Sequence, residues 1–177
     1  MKRTIVSALV ATSLLAAVAK PAVATEVGYN RKFGLGVMIG DPTGLSAKLW
    51  IAPTNALDFG LGFWGYGVNN RCFDNGTCPR YGYNNGTFNM DYLWQSNIVR
   101  GQAQLDWHIG VGGRTIWWGG CNNNCFELAA RAPVAGLDLM FNNPAFIEIF
   151  FELALGLIIV PGIYPQIEGG LGGRFYF

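Results

Sequence analysis

The stretch Ile167-Glu168-Gly169-Gly170-Leu171-Gly172-Gly173-Arg174-Phe175-Tyr176-Phe177 decides how the chain is read. With the period of two that a β-strand imposes, Ile167, Leu171, Phe175 and Phe177 point one way and Glu168, Arg174 and Tyr176 the other. One face therefore carries both charges, and the opposite face only apolar groups or glycine. Such a strand suits a closed barrel in lipid, whose last strand pairs with its first so that no edge stays open. The rival is the last strand of a soluble sandwich.

Working outward, the same alternation recurs. Residues 147–155 send Ile147, Ile149, Phe151, Leu153 and Leu155 outward and Glu148 and Glu152 inward, and 160–166, with two prolines, links them to the closing strand. A membrane helix over 146–160 would be short and would hold both carboxylates in hydrocarbon, so the strand is preferred. The strand before it, about 128–141, is irregular: Arg131 and Pro133 fall out of phase with Asp138, and a bulge near Pro133 would restore the phase.

At the other end, 33–39 alternates Phe33, Leu35, Val37 and Ile39 with Gly34, Gly36 and Met38. Asp41-Pro42-Thr43-Gly44 has turn chemistry, with Gly44 expected to accept a positive φ. A second strand sends Leu45, Ala47, Leu49 and Ile51 out, and Ser46, Lys48 and Trp50 in. After 52–55, a third sends Leu57, Phe59, Leu61 and Phe63 out, with Asp58 in. Register is kept through all three, which makes them a meander. A fourth strand near 88–95 pairs Met90, Tyr92 and Trp94 against Asp91, Leu93 and Gln95 without fixing which set faces in. After a link at 96–101, a fifth alternates Leu105, Trp107, Ile109 and Val111 with Asp106, His108, Gly110 and Gly112.

The expected fold is thus all-β: an eight-stranded antiparallel up-and-down transmembrane barrel, small enough for side chains to fill its interior. With both ends on one side, the connections 41–44, 65–87, 115–127 and 160–166 share the far rim, and the remaining connections are short. Long loops on one rim and short turns on the other is the sorting that outer-membrane barrels show.

Residues 1–24 read as a secretory signal peptide: Lys2 and Arg3, an apolar run from Ile5 to Val18, then Ala22-Val23-Ala24 as a small-x-small cleavage site. The remainder, 25–177, opens on a short polar lead-in at 25–31 and is one domain with a formal charge of −2. It carries no basic patch for nucleic acid. Its 25 glycines and few charges suit tight turns and small inward positions.

Cys72, Cys78, Cys121 and Cys125 form two close pairs, each in a stretch rich in Asn and Gly. In an exported chain they read as disulfides, either within each pair or stapling the two loops together. Zinc is disfavoured, since neither pair has two-residue spacing or a nearby His, and no metal or cofactor is expected.

The expected lumen network comprises Lys48, Asp58, Asp91, Asp106, His108, Arg114, Glu148, Glu152, Glu168 and Arg174. Strand pairing should bring Arg174 near Glu148 and Glu152, and Lys48 diagonal to Asp58. Buried ions are costly unless satisfied, so a packed plug is expected in preference to an open pore. His108 and Asp106 share a face, as a base and its orienting carboxylate would. The only serines after residue 24, Ser46 and Ser96, complete no evident triad. Aromatics gather near strand ends: Phe63, Trp64, Tyr66, Trp117, Trp118 and Tyr164 toward the far rim, and Trp50, Phe141, Phe146, Phe175 and Phe177 toward the near one, as interfacial belts require.

Two stretches carry a resemblance. The end, aromatic at the last position with apolar or glycine residues alternating before it, resembles the terminal signature of bacterial outer-membrane barrels. That likeness implies that Leu171, Phe175 and Phe177 are read by the barrel-insertion machinery. The start, Gly34-Leu35-Gly36-Val37-Met38-Ile39-Gly40-Asp41-Pro42-Thr43-Gly44-Leu45-Ser46-Ala47-Lys48, resembles small OmpA/OmpX-type barrels and, more narrowly, a group of uncharacterised outer-membrane barrel proteins. Location in the bacterial outer membrane, with outer-membrane lipid as partner, is what these likenesses imply. Eight-stranded lipid A deacylases carry His-x-Ser, where this chain reads His108-Ile109-Gly110, and palmitoyl-transferring barrels use an Asp-Ser pair that this chain lacks. The expected function is non-enzymatic, with disulfide-pinned outer loops serving an extracellular ligand or envelope integrity. A narrow pore is the alternative, and a lipid-modifying enzyme a more distant one.

Overall fold

The structure, a computed structural model, describes residues 27–28, 30–64, 85–101, 103–118, 126–141 and 146–177. Eight strands close into an antiparallel barrel: β1 (Phe33–Asp41), β2 (Thr43–Ala52), β3 (Asn55–Trp64), β4 (Asn85–Val99), β5 (Ala103–Trp118), β6 (Phe126–Phe141), β7 (Ile147–Val160) and β8 (Tyr164–Tyr176). Each strand pairs with its chain neighbours, and β8 closes on β1 with Gly34 opposite Tyr176, Gly36 opposite Arg174 and Gly40 opposite Gly170. The terminal stretch is therefore the closing strand. The signal segment 1–24 and all four cysteines lie outside the described residues.

Facing follows the alternation. On β7 the burial pattern switches at every residue from Ile147 to Ile159, with Glu148 and Glu152 inside. On β4, where the sequence left the facing open, Asp91, Leu93 and Gln95 are inside. Between Arg131 and Val134 the β6–β7 register slips, the bulge that Pro133 requires; it turns both Arg131 and Asp138 inward.

Several expectations are corrected. The β4–β5 link shrinks to 100–102, because β4 stays paired with β5 through Val99, across a register shift between Asn97 and Val99. The far-rim connections also shrink, to 65–84, 119–125 and 161–163, and Pro42 alone separates β1 from β2. The two longest connections, 65–84 and 119–125, still leave the same rim, and the other rim carries only the short connections 53–54, 100–102 and 142–145, as expected. In the first turn the positive φ falls at Gly40 (142°), not Gly44. Thr43 Oγ1 clasps that turn, donating to the Gly40 carbonyl and accepting from its amide. Trp50 belongs to no belt. It is buried inside the barrel, as its place on the inward face of β2 dictates.

The described residues of the lead-in, 27–28 and 30–31, lie at the end of the barrel where β1 begins and β8 ends. Val27 packs with Trp50, Ala56, Met140 and Tyr176, and Arg31 donates to the Tyr176 carbonyl while its guanidinium lies 3.6 Å from the Phe146 ring centroid. A second apolar cluster, Leu93, Val134 and Ala154, occupies the interior further up. Most of the remaining buried side chains are polar or charged.

Candidate functional site

The barrel interior is a chain of ion pairs. At the far rim Arg114 pairs with Asp41 and, at 3.0 Å, with Glu168. Glu168 also meets Arg131 Nε at 2.9 Å, and Arg131 goes on to Glu152 at 3.0 Å and to Asp91. Glu152 stands 3.8 Å from His108 Nε2, and His108 Nδ1 is 2.6 Å from Asp138. Lys48 joins Asp138 (3.3 Å) to Glu148 (2.9 Å), and Arg174 joins Glu148 (3.4 Å) to Asp58 (2.6 Å). Tyr176 donates its hydroxyl proton to Glu148 at 2.6 Å and accepts from Trp50 Nε1. Asp106 stands apart from this chain, near the end of the barrel where β1 begins and β8 ends, and takes hydrogen bonds from Gln95, Asn97 and Gln104.

Glycine makes the longer reaches possible. Arg131 on β6 touches Asp91 on β4 across β5, whose residue at that height is Gly112, in register with both. A Cβ there would lie 2.0 Å from Asp91 Oδ1. Arg174 on β8 likewise reaches Ser46 on β2 across Gly36 of β1, donating to Ser46 Oγ from Nε (2.9 Å) and Nη2 (2.7 Å). A Cβ on Gly36 would lie 1.8 Å from the Gly173 carbonyl oxygen and 2.7 Å from the Arg174 Cα. The guanidinium of Arg174 also sits 3.8 Å over the Phe150 ring.

All ten charged residues expected in the lumen lie inside the barrel, each less than 4 % exposed. The pairings differ in part. Lys48 and Asp58 are register partners, directly opposite rather than diagonal, but each spends its charge elsewhere: Lys48 across the lumen, Asp58 on Arg174. Arg174 meets Glu148, its register partner, whereas Glu152 faces Gly170 and is held by Arg131. The orienting carboxylate of His108 is Asp138 on β6, not Asp106 on its own strand. Ser46 is held by Arg174.

Two hubs were missing from the expected network, Arg131 and Asp138. Both were visible as the residues whose phase the Pro133 bulge had to reconcile. Leu171, Phe175 and Phe177 are exposed on the outside of the barrel at 57, 42 and 62 %. Phe63, Trp117 and Tyr164 are exposed toward the far rim, while Tyr66 and the side chains of Trp64 and Trp118 lie outside the described residues.

The outer face is the inverse of the interior. Among the described strand residues, those that are exposed include none with a charge; apart from Ser96, they are apolar or aromatic. Comparison with protein-family models, with curated proteins and with solved structures gives no match.

Proposed function

We propose that this chain is an integral protein of the bacterial outer membrane, that it catalyses no reaction, and that its barrel is a filled post holding segments 65–84 and 119–125 at the cell surface. The observation that carries this reading is the inverted distribution of polarity. Strand carboxylates and guanidinium groups lie inside, and the exposed strand side chains form a greasy jacket. Monomeric soluble proteins rarely expose contiguous apolar patches beyond a few hundred Å². Hydrocarbon, by contrast, demands that every backbone group be paired within the protein, which a closed sheet achieves.

On this reading residues 1–24 direct export, the aromatic terminus engages the insertion machinery, and disulfides pin the two cysteine-bearing segments, which leave the rim away from the chain ends. The segments serve contact with an extracellular ligand or the integrity of the envelope. A pore is disfavoured because the lumen is cross-linked from Asp41 to Asp58 by paired ions. A hydrolase is disfavoured because, among the described residues, no hydroxyl is hydrogen-bonded to the His108–Asp138 pair, and Ser46 is held by Arg174.

Expression with residues 1–24 attached, followed by density-gradient separation of envelopes and planar-bilayer recording, tests this. Recovery with outer-membrane markers after a urea wash, and conductance equal to an empty-bilayer control, are expected. Release as a soluble periplasmic protein, or steady conductance steps, would overturn it.

A further inference from the structure

At the end of the barrel where β1 begins and β8 ends, between the β2–β3 and β4–β5 turns, lies a cavity of about 260 Å³ with a carboxylate at its floor and a guanidinium at its mouth. The floor is Asp106, 3 % exposed and, among the described residues, hydrogen-bonded only by amide donors: Gln95 Nε2 at 3.1 Å, Asn97 Nδ2 at 2.7 Å and Gln104 Nε2 at 2.8 Å. The acids of the ion-pair chain each face an Arg, Lys or His; Asp106 faces none. Amides orient a carboxylate but leave its charge in place, and a buried charge without a counterion is costly. Beside it, Gln95 Oε1 is buried and accepts no hydrogen bond. Gln95 Oε1 calls for a donor and Asp106 for a positive charge, and an ammonium group supplies both.

The mouth supplies the opposite sign. Arg100 is exposed and has no ion-pair partner among the described residues. The buried Trp50 contributes an apolar part of the lining. The volume is just below the usual range for drug-sized ligands, so the occupant is small. The geometry points to a binding site for a zwitterionic amine of amino-acid to dipeptide size, its ammonium on Asp106 and Gln95 and its carboxylate on Arg100. On the membrane reading given above, this mouth opens to the periplasm.

The test titrates the full chain, folded in detergent micelles, with alanyl-alanine, its N-acetyl derivative and its C-terminal amide, read by calorimetry and indole fluorescence. Saturable one-to-one binding of alanyl-alanine is expected, weakened about tenfold or more when either end is capped, as loss of a charge-assisted hydrogen bond implies. Asp106→Asn should bind the free and N-acetylated dipeptides alike, and Arg100→Gln should treat the free acid and the amide alike. Absence of saturable binding, indifference of the native chain to capping, or variants that discriminate as the native chain does would each overturn the site. Should Asp106→Asn fail to fold, Arg100→Gln, at an exposed position, decides alone. Barrel closure is monitored separately by gel mobility, so a failed barrel and an empty pocket give different results.

Discussion

Arg131 holds three carboxylates at once, Asp91, Glu152 and Glu168, in an interior from which water is largely excluded. Removing one partner of a buried ion set leaves the others uncompensated, which costs about 3–5 kcal/mol. Arg131→Met should therefore lower unfolding stability by about that amount, measured by urea titration of tryptophan fluorescence in lipid vesicles; an unchanged midpoint would mean that the ion chain does not hold the barrel together. Gly112 and Gly113 offer a paired test on adjacent residues. A Cβ on Gly112 would press into Asp91, while one on Gly113 meets only the Ala129 carbonyl oxygen at 3.5 Å. Gly112→Ala should cost roughly 1–3 kcal/mol, the price of overpacking, and Gly113→Ala much less, by the same titration. The sequence shows which residues enter the lumen because period two assigns every side chain a face. It does not show their partners, because Lys48 finds Asp138 and Glu148 across the lumen rather than along the sheet. Arg131 and Asp138 escaped because the bulge between them shifts one face onto the other, and the alternation alone does not locate it to the residue.

At the scale of elements, β7 is the clearest strand in sequence and in structure, since its acids and aliphatics alternate without a break. The outer face of that strand carries a direct test of its solvent. Leu153 is 49 % exposed, and a Leu→Arg change at such a site in a soluble protein would be close to neutral. In hydrocarbon near the bilayer midplane an arginine costs about 2–4 kcal/mol. Leu153→Arg should show that loss in vesicles by urea unfolding, and a neutral outcome would argue for water outside. Strand ends were less legible than strand centres. Strands β4 and β5 extend into stretches that read as loops, 96–99 and 115–118, because pairing with a neighbour sustains a strand beyond its alternating core. The closing pair β1–β8 was legible from the terminus alone, since an amphipathic last strand with one apolar face needs a partner for its open edge.

At the scale of the whole molecule, the described residues form a closed sheet turned inside out relative to a soluble domain, charged where a core would be and apolar where water would be. A closed sheet leaves no strand edge from which a detergent could begin to unpair it, so a lipid-facing barrel should resist dodecyl sulfate while cold. Electrophoresis of the detergent-purified chain, with and without boiling, compares the two states on one gel. A closed lipid-facing barrel predicts two bands of different mobility, the unboiled one lost on heating. Identical mobility before and after boiling would contradict it.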